Sequence, residues 1–497
     1  MQKLVTSEEI KKHELAWIQT MNSKGSLTLM EKAGSALAGV AKEYKEPYLI
    51  VCGKGNNGGD GIVAARCLHD FGKKVYLFLT SDENSLSKDA KTNFETIKDK
   101  IEHFKIEKED DKNFADILQT SNTVIDSLLG TGSHGKSNLS SLYEWIIKSI
   151  NESHKAVIAC DIPTGVNPNT GNVSTKAIKA KVTVTFAYPK LGLLVYPGKK
   201  YAGKIKTIDI DLPELETNSY LLDDEFLKNN FPKRSEDLNK GNFGRTLLVC
   251  GSKKYPGAAL LASKAAASIG SGLTSLASVD EVFNRITAVT PEVTHVELVL
   301  SKILEESFNS SVLVIGPGLT TVQEIKDLVE SLITKASVPI VLDADGINSI
   351  VGKKEIIKKA KKDVVITPHP KEFARLLGIT VDEVLNNKVE LAKNTAIDLN
   401  CTVVLKGPAT IIASKSGKIY ISPFANAALA KGGTGDVLAG IIGGLISQGL
   451  EPVMASCVGV YIHGKTAELV AADKTVFSLL PQDLISYLPS AIRTFVG

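Results

Sequence analysis

The segment YLIVCGKGNNGGDG, residues 48–61, is an apolar run that feeds straight into a glycine corner, and KGGTGDVLAG, residues 431–440, is a second corner opening an apolar helix. A corner of this kind leaves backbone N–H groups aimed at an anion, with the helix dipole behind them. It suits a chain in which buried strands alternate with crossover helices, and it argues against an all-helical or all-antiparallel protein.

The rest of the chain has that alternation. Strand-like runs fall at 47–53, 74–80, 123–130, 156–163 and 181–189, with helical spacing between them, as in DGIVAARCLHDFG at 60–72. SLTLMEKAGSALAGVAKEY, residues 26–44, is the clearest helix ahead of them. A polar stretch after IDIDLP carries no strong strand until RTLLVCG at 245–251. A fresh α/β series then runs through 273–279, 311–318, 339–346, 363–370 and 401–407, followed by a hairpin at 409–422 that turns at Ser416–Gly417. The reading is α/β throughout: a Rossmann-like parallel-sheet domain, 1–220, and a second α/β domain, 221–497.

Composition narrows the function. With 497 residues the chain exceeds one hydrophobic core. A net charge of +3, from mixed Lys/Arg and Asp/Glu, argues against nucleic acid as a partner. The longest uncharged apolar run, 437–450, is too short and glycine-rich to span a bilayer, and MQKLVTSEEIKKHE lacks a signal-peptide core. Six cysteines with no Cys-x-x-Cys pair give neither a disulfide frame nor a zinc site, which points to a cytoplasmic location.

In the first corner Gly53, Gly55 and Gly58 match G-x-G-x-x-G, but Asp82 is a poor ribose acid, lying in a loop-like TSDENS. Asn56, Asn57 and Asp60 add polar side chains that a plain phosphate turn does not need. Asn57 with the strand-end carboxylate Asp126 makes oxygen ligands for a hard cation; helix and strand capping is the competing reading. Asp161, in ACDIPTG, ends a parallel strand, where a carboxylate gains acid/base character from burial, unless it serves only as a turn residue before Pro163.

Together GNNGGDG, DSLLGTG and DIPTG resemble the epimerase domain of the bifunctional NAD(P)H-hydrate repair enzymes, over roughly residues 1–215. That resemblance implies a hydrated nicotinamide dinucleotide as substrate, with R and S epimers interconverted at C6. It implies substrate contacts from Asn56, Asn57, Gly58, Gly59 and Asp60, and from Gly130, Thr131, Gly132, Ser133, His134, Gly135 and Lys136. It also implies a potassium ion on Asn57, Asp126 and Thr164, and Asp161 as acid/base. Family members often carry Ser where Thr164 stands; the hydroxyl is kept.

In the second corner Gly432, Gly433 and Gly435 form an anion hole, and Asp436, in the first turn, is placed to take a proton from an attacking hydroxyl. Lys406, in LKGPAT, offers an ammonium to a phosphate. GPGLT at 316–320 is another glycine turn, and His369 stands at a strand end. Asp343 reads as a packing or capping group and Asp345 as a holder of metal-bound water. His463, on an apolar helix, reads as a satisfied core histidine.

KGGTGD resembles the G-x-G-D signature of ribokinase-like kinases, and with NKGNFG, GPGL, TPHPKE and LKGPAT the segment 225–497 resembles the dehydratase domain of the same repair family. This implies ADP as phosphoryl donor with Mg²⁺, a phosphorylated 6-hydroxyl, and elimination of phosphate to restore NAD(P)H. Lys406, Gly407, Pro408, Ala409, Thr410 and Gly435 would hold the nucleotide. Ala258, Gly318, His369 and Asp436 would line the hydrate site, with Asp436 as base. The rival is a ribokinase-like small-molecule kinase with a Rossmann-like accessory domain. The two glycine-rich halves further suggest a homo-oligomer.

Overall fold

The computed structural model describes residues 1–21, 25–133, 139–234 and 240–496. The chain divides into two compact units, Lys3–Thr217 and Asn218–Gly497, the latter with Met1–Gln2.

The N-terminal unit is a seven-stranded sheet in the spatial order Glu102–Lys105, Val75–Leu79, Tyr48–Cys52, Thr123–Ser127, Ala156–Cys160, Val182–Phe186, Lys204–Ile208. All pairs are parallel. The chain starts at Tyr48–Cys52, steps outward twice, then returns to lay Thr123–Ser127 on the other side. Such a reversal opens a crevice at the C-terminal ends of the two central strands. Every residue of Tyr48–Cys52 and of Thr123–Ser127 is buried, because helices cover both faces of the sheet.

The first corner is sterically dictated. A Cβ on Gly53 would lie 2.0 Å from the Leu128 carbonyl oxygen, and one on Gly58 would lie 1.8 Å from that of Gly53. The helix begins earlier than its apolar spacing suggests, at Asn56, with Gly55 as N-cap and no side-chain cap bond. Asn56 and Asn57 are therefore first-turn residues and do not cap.

In the C-terminal unit the strands from Val293–Glu297 through Leu273–Ser278, Arg245–Val249, Val312–Ile315, Ile340–Leu342 and Val364–Ile366 to Thr402–Leu405 pair in parallel. The antiparallel hairpin Ile411–Ala413 and Ile419–Ile421 follows, with Gly417 at φ +82° in its turn. The order reverses between Arg245–Val249 and Val312–Ile315, so this unit too has a switch-point crevice. Among the described residues no helix is long and apolar enough to cross a membrane.

Five strands escaped the sequence reading, the three-residue Gln2–Leu4 among them. Glu102–Lys105, Lys204–Ile208 and Val293–Glu297 carry charged, exposed positions, as strands at a sheet margin do. Ser219–Leu221 has three residues and sits in the stretch read as lacking strands; it pairs with Ile419–Ile421.

Helix Thr434–Ser447 lies against helix Pro256–Ile269 through glycine contacts. A Cβ on Gly440 would stand 2.2 Å from the Ala262 carbonyl oxygen. Gly440→Ala is expected to destabilise the C-terminal unit by about 1–3 kcal/mol in thermal unfolding, because close-packed backbone has nowhere to yield. Gly39→Ala, at a mid-helix site with nothing near its Cβ, is expected to be neutral or slightly stabilising.

Candidate functional sites at two sheet crevices

A cavity of about 590 Å³ occupies the N-terminal crevice. Asn56, Asn57 and Asp60 line it from the helix Asn56–Asp70, Gly130, Thr131 and Gly132 from the loop after Thr123–Ser127, and Asp161 from the end of Ala156–Cys160. Gly58 and Gly59 are buried behind this wall, supporting the corner. Ser133 closes the short turn Thr131–Ser133, and His134, Gly135 and Lys136 lie outside the described residues.

Asp161 has a left-handed φ of +64°, is 9% exposed, and is held by two donors. Lys190 Nζ donates to Asp161 Oδ1 at 2.5 Å and Thr185 Oγ1 donates to the same oxygen at 3.1 Å. Lys190 is itself 2% exposed and also donates to Thr185 Oγ1 and the Phe186 carbonyl. Burial, then the nearby carboxylates Asp161 and Glu14, hold the Asp60 carboxyl well above its ordinary range, against the pull of Lys190. Lys190 and Glu14 were not singled out from the sequence. Lys190 sits four residues beyond a strand end, a legible signal; Glu14 shares its helix face with Ser7, Ile10, Lys11 and Ile18, a mixed face that does not mark it out.

Asp126 and Thr164 lie beneath this wall. Asp126 is fully buried and accepts from Thr164 N at 2.8 Å, Thr164 Oγ1 at 2.7 Å and Leu128 N at 3.3 Å. Burial pushes its carboxyl up to about 6, against these neutral donors, and among the described residues no basic side chain pairs with it. Asn57 Nδ2 is buried without a hydrogen-bond partner, and a flip of that amide would present Oδ1 in its place. A buried carboxylate without a counter-ion beside amide and hydroxyl oxygens fits a weakly demanding cation.

The C-terminal crevice holds a cavity of about 740 Å³. Ala258 and Gly318 line it, with Asp345, Gly433 and Asp436. Gly433, at φ +96°, is the N-cap of helix Thr434–Ser447, so Asp436 stands in the first turn with its carboxylate in the cleft. Burial and the neighbouring Asp343 push Asp436 up to about 7, against the pull of Lys406. Asp345 accepts from Thr320 N at 2.8 Å.

Lys406 donates to Asp343 Oδ1 at 2.6 Å, and Thr367 Oγ1 donates to the same oxygen at 2.7 Å. Asp343, 1% exposed, is thus the internal counter-ion of Lys406. Burial works against the Lys406 charge, but Asp343 and Glu372 more than offset it and raise its pKa. Lys406 Nζ lies 3.2 Å from the Cβ position of Gly435, which ties the ammonium to the helix N-terminus. Gly407, Pro408, Ala409 and Thr410 continue from it as a loop in which Gly407 and Ala409 have φ of +157° and +56°.

His369 does not line this cavity. It caps helix Pro370–Leu377: its Nδ1 accepts from the Lys371 and Glu372 amides while Glu372 Oε2 accepts from His369 N. Burial lowers its pKa, partly opposed by Glu372, whose Oε1 lies 3.4 Å from His369 Nε2. The reading of His463 as a satisfied core histidine is corrected: it is 7% exposed, but its Nε2 has no partner, since only the other ring nitrogen reaches the Thr434 backbone. All six cysteines are free and five are buried.

The NAD(P)H-hydrate dehydratase family model matches residues 246–490, and the YjeF-related N-terminus model matches residues 26–192. A bifunctional NAD(P)H-hydrate repair enzyme of Moorella thermoacetica is 35% identical over 94% of this chain and 92% of its own. The chain belongs to the bifunctional NAD(P)H-hydrate repair enzyme family. The Escherichia coli family member is 31% identical over 94% of this chain and 89% of its own length. The crystal structure of the ADP/ATP-dependent NAD(P)H-hydrate dehydratase of Bacillus subtilis, co-crystallised with ATP and Mg²⁺, aligns with a TM-score of 0.52 at 33% identity, covering 56% of this chain and all of that one. The two crevices thus fall one in each of the two family regions.

A raised Asp436 has a stability consequence. The folded chain binds its proton more tightly than the unfolded chain, so the stability present at low pH is lost as pH rises through about 7. Asp436→Asn removes that loss. It is expected to melt higher than the parent at about pH 8, by on the order of 1 kcal/mol, with the difference fading toward about pH 5 in calorimetric scans.

Proposed function

We propose that this chain repairs hydrated NADH and NADPH: the N-terminal domain, 1–220, interconverts the R and S hydrates at C6, and the C-terminal domain, 221–497, dehydrates the S hydrate with ADP. Family membership supports both steps. The observation that carries the reading is that each switch-point crevice presents a carboxylate, the buried Asp161 or the half-buried Asp436, within a glycine-lined cleft large enough for a nicotinamide nucleotide.

In the C-terminal domain the Gly433–Gly435 amides and the dipole of helix Thr434–Ser447 receive the transferring phosphoryl group. Asp436 takes the proton of the substrate 6-hydroxyl, which attacks the terminal phosphorus of ADP, so AMP leaves. The phosphate ester then departs from C6 with its bonding electrons as a proton leaves C5, restoring the double bond of NAD(P)H. Phosphate leaves far more readily than hydroxide. Lys406 and the 407–410 loop hold the nucleotide phosphates, and Ala258 and Gly318 orient the hydrate. Mg²⁺ neutralises phosphate charge when bound; Asp345, an oxygen donor on the cleft wall, fits it.

In the N-terminal domain the Asn56–Asp60 turn and the 130–136 loop hold the dinucleotide, with Asp161 at the reacting ring. Asn57, Asp126 and Thr164 would hold potassium, which would supply the counter-charge that Asp126 lacks. The enzyme works in the cytoplasm as a homo-oligomer, on small molecules and not on nucleic acid or membrane.

The test is recovery of reduced-nicotinamide absorbance from a mixed R/S hydrate with ADP or ATP. The parent consumes both epimers. Asp161→Asn is expected to consume only the S fraction at the normal rate, and Asp436→Asn to lose dehydration by at least about 10²-fold. The pH profile of dehydration is expected to rise along a limb near 7 as Asp436 ionises. Phosphorylation of a small alcohol with no recovered NAD(P)H would instead favour the kinase.

A further inference from the structure

The N-terminal cavity holds one more ionisable group than the reading above uses. Helix Ser7–Thr20 turns Ser7, Ile10, Lys11, Glu14 and Ile18 toward the cavity, a single face at helical spacing. Its placement is tightly fixed. Val5 N donates to the Pro189 carbonyl at 3.1 Å and Leu191 N donates to the Val5 carbonyl at 3.0 Å, bridging the chain just before this helix to the residues flanking Lys190. Ser7 N donates to Asn169 Oδ1 at 2.7 Å, and Thr6 with Glu9 forms a capping box. Glu14 is half-buried on a cavity wall that also carries Ile10, Ile18, Leu29 and Met30, where a carboxylate loses part of its hydration.

The cavity therefore gathers three carboxyl groups, Glu14, Asp60 and Asp161, around one buried ammonium. Lys190 gives its hydrogen bonds to Asp161, Thr185 and Phe186. Asp161 is thus the carboxylate that pairs with this ammonium. Burial, then repulsion from Asp161, pushes Glu14 up to about 7 despite Lys190. Asp60 lines the same cavity and feels both. A carboxyl paired with an ammonium and another in the same cleft without one suit the roles of base and acid.

We infer that Glu14 is the second proton-transfer residue of the epimerase site, acting as general acid opposite Asp161, with Asp60 passing the proton between them. The inference rests on the epimerase reading of the N-terminal domain. At C6 the hydroxyl sits on a carbon bonded to ring N1, whose lone pair is partly shared with the carboxamide. Departure therefore needs a proton on oxygen. Glu14 gives that proton; the C6–O bond breaks with its electrons on oxygen, water forms, and the N1 lone pair makes an N1–C6 double bond. Water then adds to the opposite face of C6, the double-bond pair returns to N1, and Asp161 takes the proton of the adding water. Asp60 returns that proton to Glu14, and nothing is consumed.

The experiment follows R-to-S exchange in the full chain by chromatography, with S-hydrate dehydration by the C-terminal domain as internal control. Glu14→Gln is expected to lower the kcat for exchange by about 10²-fold over the uncatalysed background, leaving KM and S-hydrate dehydration unchanged. Glu14→Asp is expected to recover part of that loss. The groups facing Glu14 are Lys190 and Asp161 after their strands, Asp60 on helix Asn56–Asp70, Lys54 and Tyr143 on the cavity wall, and Lys11 on its own helix. In the parent, the descending limb of the exchange profile, where Glu14 loses its proton, is expected near pH 7 and to vanish in Glu14→Gln. Exchange retained within about threefold, or lost through KM alone, overturns the assignment. A parent that dehydrates the S hydrate but shows no exchange above background overturns the epimerase reading and this inference with it.

Discussion

A buried carboxylate must find a counter-charge or a proton, and both halves of this molecule are organised by that requirement. At each crevice one lysine, Lys190 fully buried and Lys406 partly so, is paired with a carboxylate while further acids stand nearby. In the N-terminal domain Lys190 is spent on Asp161, so Glu14 and Asp60 are driven toward the protonated form. In the C-terminal domain Lys406 is spent on Asp343, so Asp436 is left near neutrality. The surplus acid in each case faces the cavity, where a substrate proton can be given or taken.

The parallel sheet makes this arrangement possible. Strand C-termini converge on one edge, and a reversal of strand order opens that edge into a crevice. The glycine corners then let a helix N-terminus approach without side-chain obstruction, as the 1.8 Å clash of a Cβ on Gly58 demonstrates. Asp126 shows how deep the requirement runs. Among the described residues it lies wholly inside the protein on neutral donors alone.

Much of this was legible in the linear sequence. The buried central strands are apolar runs bounded by glycine, and motifs such as GNNGGDG and KGGTGD announce their corners. The edge strands were not legible, because EHFK, KIKTI and VTHVE alternate charge with apolar residues and pair on fewer sides. His369 was visible as a strand-end residue, but its use as a helix cap depends on Glu372 folding back onto it. His463 looked like a filled core position, and only the packing around it leaves Nε2 unpartnered.

By itself the sequence determined the α/β class, the two glycine corners, and the carboxylates Asp161 and Asp436 beside them, since these follow from local hydrophobic periodicity and from turns only glycine can make. The tertiary structure decided which acids are ionised. Lys190 lies 29 residues from Asp161, Lys406 lies 63 from Asp343, and Glu14 comes from a helix far upstream of both carboxylates it faces. Charge state depends on distance and burial in space, and neither is written in the spacing along the chain.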